Sequence, residues 1–173
     1  VTQIANKGFM ELMVAAILDG GDATWINFYG PDGSLIAENQ THVADPGYPM
    51  DVAISDNSDI MMVTYQFVEG SQTTSYVAFY NFGDIGQSED DRIVSGYTYE
   101  GVVIPQIEYL DSTRSAALKD NGFTIYSGTQ IPKEGTTVEV KKEIVSTFFD
   151  ENTIGLVFKS GKKDKQYTMQ VYG

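Results

Sequence analysis

The chain has 173 residues, a formal net charge of −13, 42% apolar and 20% charged residues, and no cysteine. That length and apolar share suit one compact domain with its own core, and the acidic balance argues against nucleic acid and anionic membrane surfaces as partners. Without cysteine there is no disulfide, thiolate metal site or cysteine nucleophile, and a single histidine, His42, excludes a His-rich zinc site or a two-histidine mechanism.

Taken in order, Phe9 to Leu18 holds good helix formers but is set between Gly8 and the turn Gly20-Gly21-Asp22, and is read as a strand. Its apolar run, Met13 to Leu18, is far shorter than the about 20 residues of a membrane span. Thr24–Tyr29, the Pro31-Asp32-Gly33 turn and Ser34–Glu38 form a hairpin, with Pro presetting φ and Gly supplying positive φ. After Asp45-Pro46-Gly47 come strands at Met50–Ile54, Ile60–Tyr65 and Ser75–Phe82, then an acidic stretch, Asp84 to Arg92, with room for a helical turn. Strands follow at Arg92–Tyr99, Gln106–Leu110, Ser115–Leu118, Gly122–Ser127 and Thr137–Lys142. The last are Val145–Phe149, Ile154–Phe158 and Gln166–Tyr172.

One phrase recurs. An apolar strand runs into an acidic or Asn turn and a second apolar strand follows, at Met50–Asn57, Gln106–Asp111 and Val145–Asn152. A strand–turn–strand unit returning every ~40–50 residues signals a repeat architecture. The third strand of each unit closes on an aromatic: Phe28-Tyr29, Phe79-Tyr80, Ile125-Tyr126 and Val171-Tyr172. The units fall at about 1–45, 46–100, 101–143 and 144–173, as one all-β domain of about four four-stranded antiparallel units. The ends look incomplete. Little is left before Phe9 for a first strand, and no fourth strand follows Tyr172. Val1 is read as a processed or trimmed start.

Val52-Ala53-Ile54-Ser55-Asp56-Asn57-Ser58-Asp59-Ile60-Met61-Met62-Val63 resembles the first turn of a WD40-like or YVTN-like β-propeller blade. Ile26–Gly33 resembles the later strand-and-turn phrase of the same repeats, although the Trp-Asp and Gly-His pairs of true WD40 blades are absent. Gly47–Ser55 with Phe79–Gln87 resembles an uncharacterised clostridial family of unknown function, from about Trp25 onward. The resemblance implies a propeller-like domain, extracytoplasmic or on the cell surface, anchored by a segment missing from this chain and not itself inserted in the membrane. Four units also fit an incomplete arc of a larger ring, and unpaired blade edges would invite self-association into a homo-oligomer.

The candidate chemistry is sparse. Asp56, Asn57 and Asp59 crowd one turn and could hold calcium, though they lack the Gly and distant Glu of an EF-hand. Their ordinary role is to hydrogen-bond their own backbone. Glu89, Asp90 and Asp91 read as a solvated loop. Ser55 with His42 lacks a nucleophile elbow and is no hydrolase site. Asn39-Gln40-Thr41 is a formal glycosylation sequon. Tyr97, Tyr99 and Tyr109 are candidates for a binding surface near blade edges. The expected function is a non-enzymatic scaffold or binding module that meets proteins or glycans through propeller loops, with no catalytic residue and no cofactor. Two alternatives stand beside it: a carboxylate glycoside hydrolase or lyase at a channel mouth, and a calcium-stabilised structural module.

Overall fold

The computed structural model describes residues 3–6, 14–19, 24–29, 32, 34–41, 47–55, 60–81, 93–150, 152–159 and 167–173. Among them the chain is all strand. The first sheet has the order β1 (Gln3–Asn6), β2 (Val14–Asp19), β3 (Thr24–Tyr29), β4 (Leu35–Thr41). The second is β5 (Tyr48–Ile54), β6 (Ile60–Glu69), β7 (Gln72–Asn81), β8 (Ile93–Glu100). The third holds β9 (Gln106–Tyr109), β10 (Arg114–Lys119), β11 (Gly122–Ser127) and β12 (Lys133–Glu139), and the fourth β13 (Ile144–Asp150), β14 (Thr153–Lys159) and β15 (Tyr167–Tyr172). Every pairing is antiparallel between neighbours in sequence. No helix among the described residues is long and apolar enough to cross a membrane.

The sheets stand side by side and pack face to face. β5 runs beside β1 and β2 on one side and β9 on the other. Both faces of the second sheet are therefore covered, which explains why β6 reads as the unbroken apolar run Ile60–Val63 and not as a half-polar alternation. Met61, Val63 and Tyr65 join Val52, Ile54, Ala78 and Tyr80 in the cluster facing the first sheet. Ile60 and Met62 turn the other way, with Val77 and Phe79, to meet Ile107, Ala117 and Tyr126 of the third sheet. The third sheet repeats the division, turning Ala116, Leu118 and Phe123 toward Ile154, Leu156 and Phe158 of the fourth. Period-two alternation here sorts apolar residues between two neighbours, not between core and water.

The three recurring phrases are the first hairpins of the second, third and fourth sheets, β5–β6, β9–β10 and β13–β14. The predicted hairpin around Pro31-Asp32-Gly33 is β3–β4, and the Ser34 amide and hydroxyl both donate to Asp32 Oδ1, at 3.0 and 2.6 Å. Two expectations need correction. The first sheet has its inner strand, because Gln3–Asn6 pairs with Val14–Ile17; with only Ile4 and Ala5 apolar, so short an element carries too little alternation to be read. The strand expected at Thr137–Lys142 is Lys133–Glu139, since a register shift between Thr124 and Tyr126 admits Gly135 and Thr136 as an irregularity that hides its pattern. The expected helical turn within Asp84–Arg92 lies outside the described residues, as do Glu89, Asp90 and Asp91. The last sheet is three-stranded, as expected.

Candidate binding cleft between the third and fourth sheets

Polar side chains are spent first on joining the sheets. Asp51 on β5 accepts from the amide of Ile107 on β9 at 2.9 Å and from Val52 N at 3.0 Å. Burial raises its carboxyl above the ordinary value and these two N–H donors pull it partway back. Thr147 on β13 donates to Gln106 Oε1 on β9 at 3.1 Å. Farther out, Ser75 Oγ donates to Val102 O at 2.7 Å and Thr64 Oγ1 to Ile104 O at 3.4 Å, which ties the connection between the second and third sheets to β6 and β7.

The sequence-predicted tyrosines sit in this joint. Ser95 Oγ and Tyr97 OH both donate to Pro132 O, at 2.9 and 3.0 Å, and the Glu134 amide donates to Tyr97 OH at 3.2 Å. The Tyr99 hydroxyl bonds that of Tyr126, and the Lys119 ammonium lies 4.3 Å from the Tyr99 ring centre. Burial pushes the Tyr99 phenol up to about 12 and lowers Lys119, the latter against the pull of Glu134 and Glu139. Tyr97 and Tyr99 are thus half-buried fasteners between sheets. Tyr109 packs half-buried against the same cluster; its hydroxyl is buried without a partner among the described residues, and burial raises its phenol. The Ser55 hydroxyl is also buried and unpartnered among them. Asp56, Asn57, Asp59 and His42 lie outside the described residues. Among the described residues no group of three or more His, Cys, Asp or Glu is placed to hold a metal.

The open feature is a cleft of about 410 Å³ between the third and fourth sheets. Leu110, Phe123, Ile125, Val138 and Ile154 give it an apolar floor, and Arg114, Asn152 and Tyr172 stand at its rim. Gly122 lets β11 start against β12, because a Cβ there would lie 1.9 Å from Val138 O and φ is +152°. Arg114 is positioned by the β9–β10 turn. Its Nε and Nη2 each meet Asp111 Oδ2 at 2.7 Å, and Nη2 reaches across to Asn152 Oδ1 in the β13–β14 turn. Loss of water contact would raise the Asp111 carboxyl; bonds from the Thr113 hydroxyl and amide and from Arg114 outweigh it and hold the group at about 2. The Arg114 guanidinium thus stands at the rim of an apolar trough. Sequence reading passed over this pair. Its signal was there: Arg92 and Arg114 are the only arginines in an acidic chain, and Arg114 follows one of the repeated turns.

Stacked antiparallel sheets, three of four strands and one of three, with the second and third packed between their neighbours, define a β-propeller-like arc. Its solved neighbours agree. The Nup133 β-propeller domain of Vanderwaltozyma polyspora matches with TM-score 0.62 at 12% identity, over 98% of this chain and 54% of that one. KlAtg21, in its complex with the coiled coil of AgAtg16, matches with TM-score 0.59 at 9% identity, over 98% and 57%. The chain thus spans a little over half of the propellers it matches. By sequence the chain belongs to DUF5711, a family of unknown function, over residues 3–173. No curated protein matches it.

Proposed function

We propose that the chain is a non-enzymatic binding module that takes an extended protein segment in the cleft between its third and fourth sheets. The observation that carries this is the pairing of an apolar floor with the Arg114 guanidinium at its rim. Aliphatic side chains of a ligand would fill the floor, and a backbone carbonyl or carboxylate would meet the guanidinium. A glycan would ask for more polar partners along the trough, so protein is the favoured ligand class. That a propeller of similar fold, KlAtg21, forms a complex with a coiled coil shows protein binding to be within the reach of such scaffolds. The proposal keeps the extracytoplasmic, anchored setting implied by the sequence resemblance, which protease shaving of intact cells carrying the tagged protein would test.

Purified chain and its Arg114→Ala variant, probed against a displayed random-peptide library and a glycan array, test the ligand class. Peptides with alternating aliphatic residues should be retained, and Arg114→Ala should weaken them about tenfold, the worth of one charge-assisted bond. Retention of glycans alone, or peptide binding indifferent to Arg114→Ala, overturns the proposal.

A further inference from the structure

The sequence divides its charge unevenly. Between Lys7 and Arg92 stand fourteen Asp or Glu and no Lys or Arg, whereas Arg92 and the residues after it hold ten acids and ten bases. Residues 1–91, with Lys7 their one Lys or Arg, therefore carry the whole net charge of −13. Within this acidic half the second sheet projects a hairpin. β6 and β7 are ten residues each and pair from Ile60 with Asn81 to Glu69 with Gln72, but β5 accompanies them only to Gln66 and β8 only to Thr74. The last two rungs, Val68 with Thr73 and Glu69 with Gln72, stand as a two-stranded ribbon closed by Gly70 at φ +62°. Nothing lies within 4 Å of where a Cβ on Gly70 would sit, so the turn meets open space.

The tip is apolar although it faces water. Ile60 to Tyr65 are buried, yet Phe67 is 37% and Val68 58% exposed, and Tyr48, opposite Gln66 in register, is 53% exposed. Alternation sets Phe67 on one face of the ladder and Val68 on the other, so both faces of the tip are apolar. Glu69 follows them at the turn, and Glu100 sits across Thr74 from Phe67. One exposed apolar side chain is ordinary; three gathered on one projecting ladder mark a contact surface. We infer that the tip of the β6–β7 hairpin docks a basic protein segment in which aliphatic side chains alternate with Lys or Arg. The aliphatic groups would cover Phe67, Val68 and Tyr48, and the cations would meet Glu69 and Glu100. The surrounding charge selects the partner. A stretch with no Lys or Arg from residue 8 to residue 91 draws cations and repels acidic chains and anionic lipid.

Fluorescence anisotropy of labelled short peptides with the 173-residue chain tests this, comparing peptides that alternate Leu with Lys, with Ser and with Glu. The Lys–Leu peptide should bind most tightly and weaken as salt is raised. Phe67→Ser with Val68→Ser should weaken it about tenfold through lost apolar burial. Glu69→Gln with Glu100→Gln should flatten its salt dependence. All four side chains are exposed, so circular dichroism should stay that of the parent. Should either variant fail to fold, amide exchange of the parent decides: residues 66–74 should gain protection when the Lys–Leu peptide is added. The same readout separates this site from the cleft, whose ligand would protect β11 and β12 instead, so the two fail separately. Equal binding of the Ser–Leu peptide, protection confined to the cleft, affinity unmoved by the serines, or a tip that binds phosphatidylcholine vesicles in place of the peptide overturns the inference.

Discussion

Tyr172 stands edge-on to Phe123 across the third and fourth sheets, ring centroids 5.1 Å apart at 74°. Tyr126 repeats the contact one sheet earlier, on Phe79, at 5.2 Å and 64°. Tyr80 lies on the opposite face of the second sheet from Phe79, and its hydroxyl bonds that of Tyr65 at 3.0 Å. In the third and fourth sheets the aromatic that closes the third strand is therefore the bolt driven into the sheet before it. Tyr126→Ala should cost about 3–5 kcal/mol, as for other buried rings. Tyr126→Phe, losing only the bond to Tyr99, should cost about 1 kcal/mol. Tyr172→Ala should fall between, at roughly 1–3 kcal/mol, because its ring is only partly covered. Urea denaturation of the three variants checks the order.

That bolt was legible in the sequence as a position, but not as a direction. An aromatic at the end of every third strand can be counted from the chain, whereas the neighbour it meets depends on which face of a two-sided sheet it takes. Strand-by-strand alternation could not decide this, because Met61 and Met62 are equally apolar and equally buried while facing opposite sheets. The same ambiguity applies to Tyr97 and Tyr99, read from the sequence as candidates for a surface near blade edges and half-buried in the structure. Their hydroxyls are engaged with Pro132 and Tyr126, residues about 30 positions away whose approach only the stacking creates. The hairpins were the easiest to read, since Asp32 and Asp111 bond backbone within two or three residues of themselves. The cleft was hidden because its floor comes from both sheets and its rim joins two turns 38 residues apart in sequence.

Asp51 is the inner tie between β5 and β9. Its two oxygens serve two different backbone amides, so neither Asn nor Ala can replace it. Asp51→Ala leaves the Ile107 amide without its acceptor and should cost about 1–3 kcal/mol. Asp51→Asn should recover part of that loss, since one amide oxygen still serves one donor. Thermal melts of both, with amide exchange at Ile107 as the local readout, test the assignment.

Acid should loosen the β9–β10 turn. Asp111 titrates at about 2 in the folded chain, below its ordinary value of 3.8, so its favourable contribution is fully present above that ordinary value. It is lost as the pH falls from about 4 through 2. Asp51 has the opposite sign. Its raised carboxyl makes ionisation a cost in the folded state, and that cost is relieved as pH falls through its folded value. An Asp111→Asn variant should therefore melt lower than the parent at neutral pH and lose less on acidification. A parallel acid slope in both proteins would show that the turn does not carry the effect.

Two glycines should respond differently to alanine. At Gly122 the added Cβ meets the Val138 carbonyl at 1.9 Å, a backbone atom of a paired strand, and φ of +152° is one that L side chains rarely adopt. At Gly155 the Cβ meets only the Phe148 ring, at 1.8 Å, and that ring is on the uncovered face of the fourth sheet. Gly122→Ala should cost about 2–4 kcal/mol, backbone strain and overpacking together. Gly155→Ala should cost under about 1 kcal/mol in a single arc, because Phe148 can swing into solvent. Equal losses in the two variants at low concentration would contradict this division, because it rests on one neighbour being fixed backbone and the other a ring with room to move.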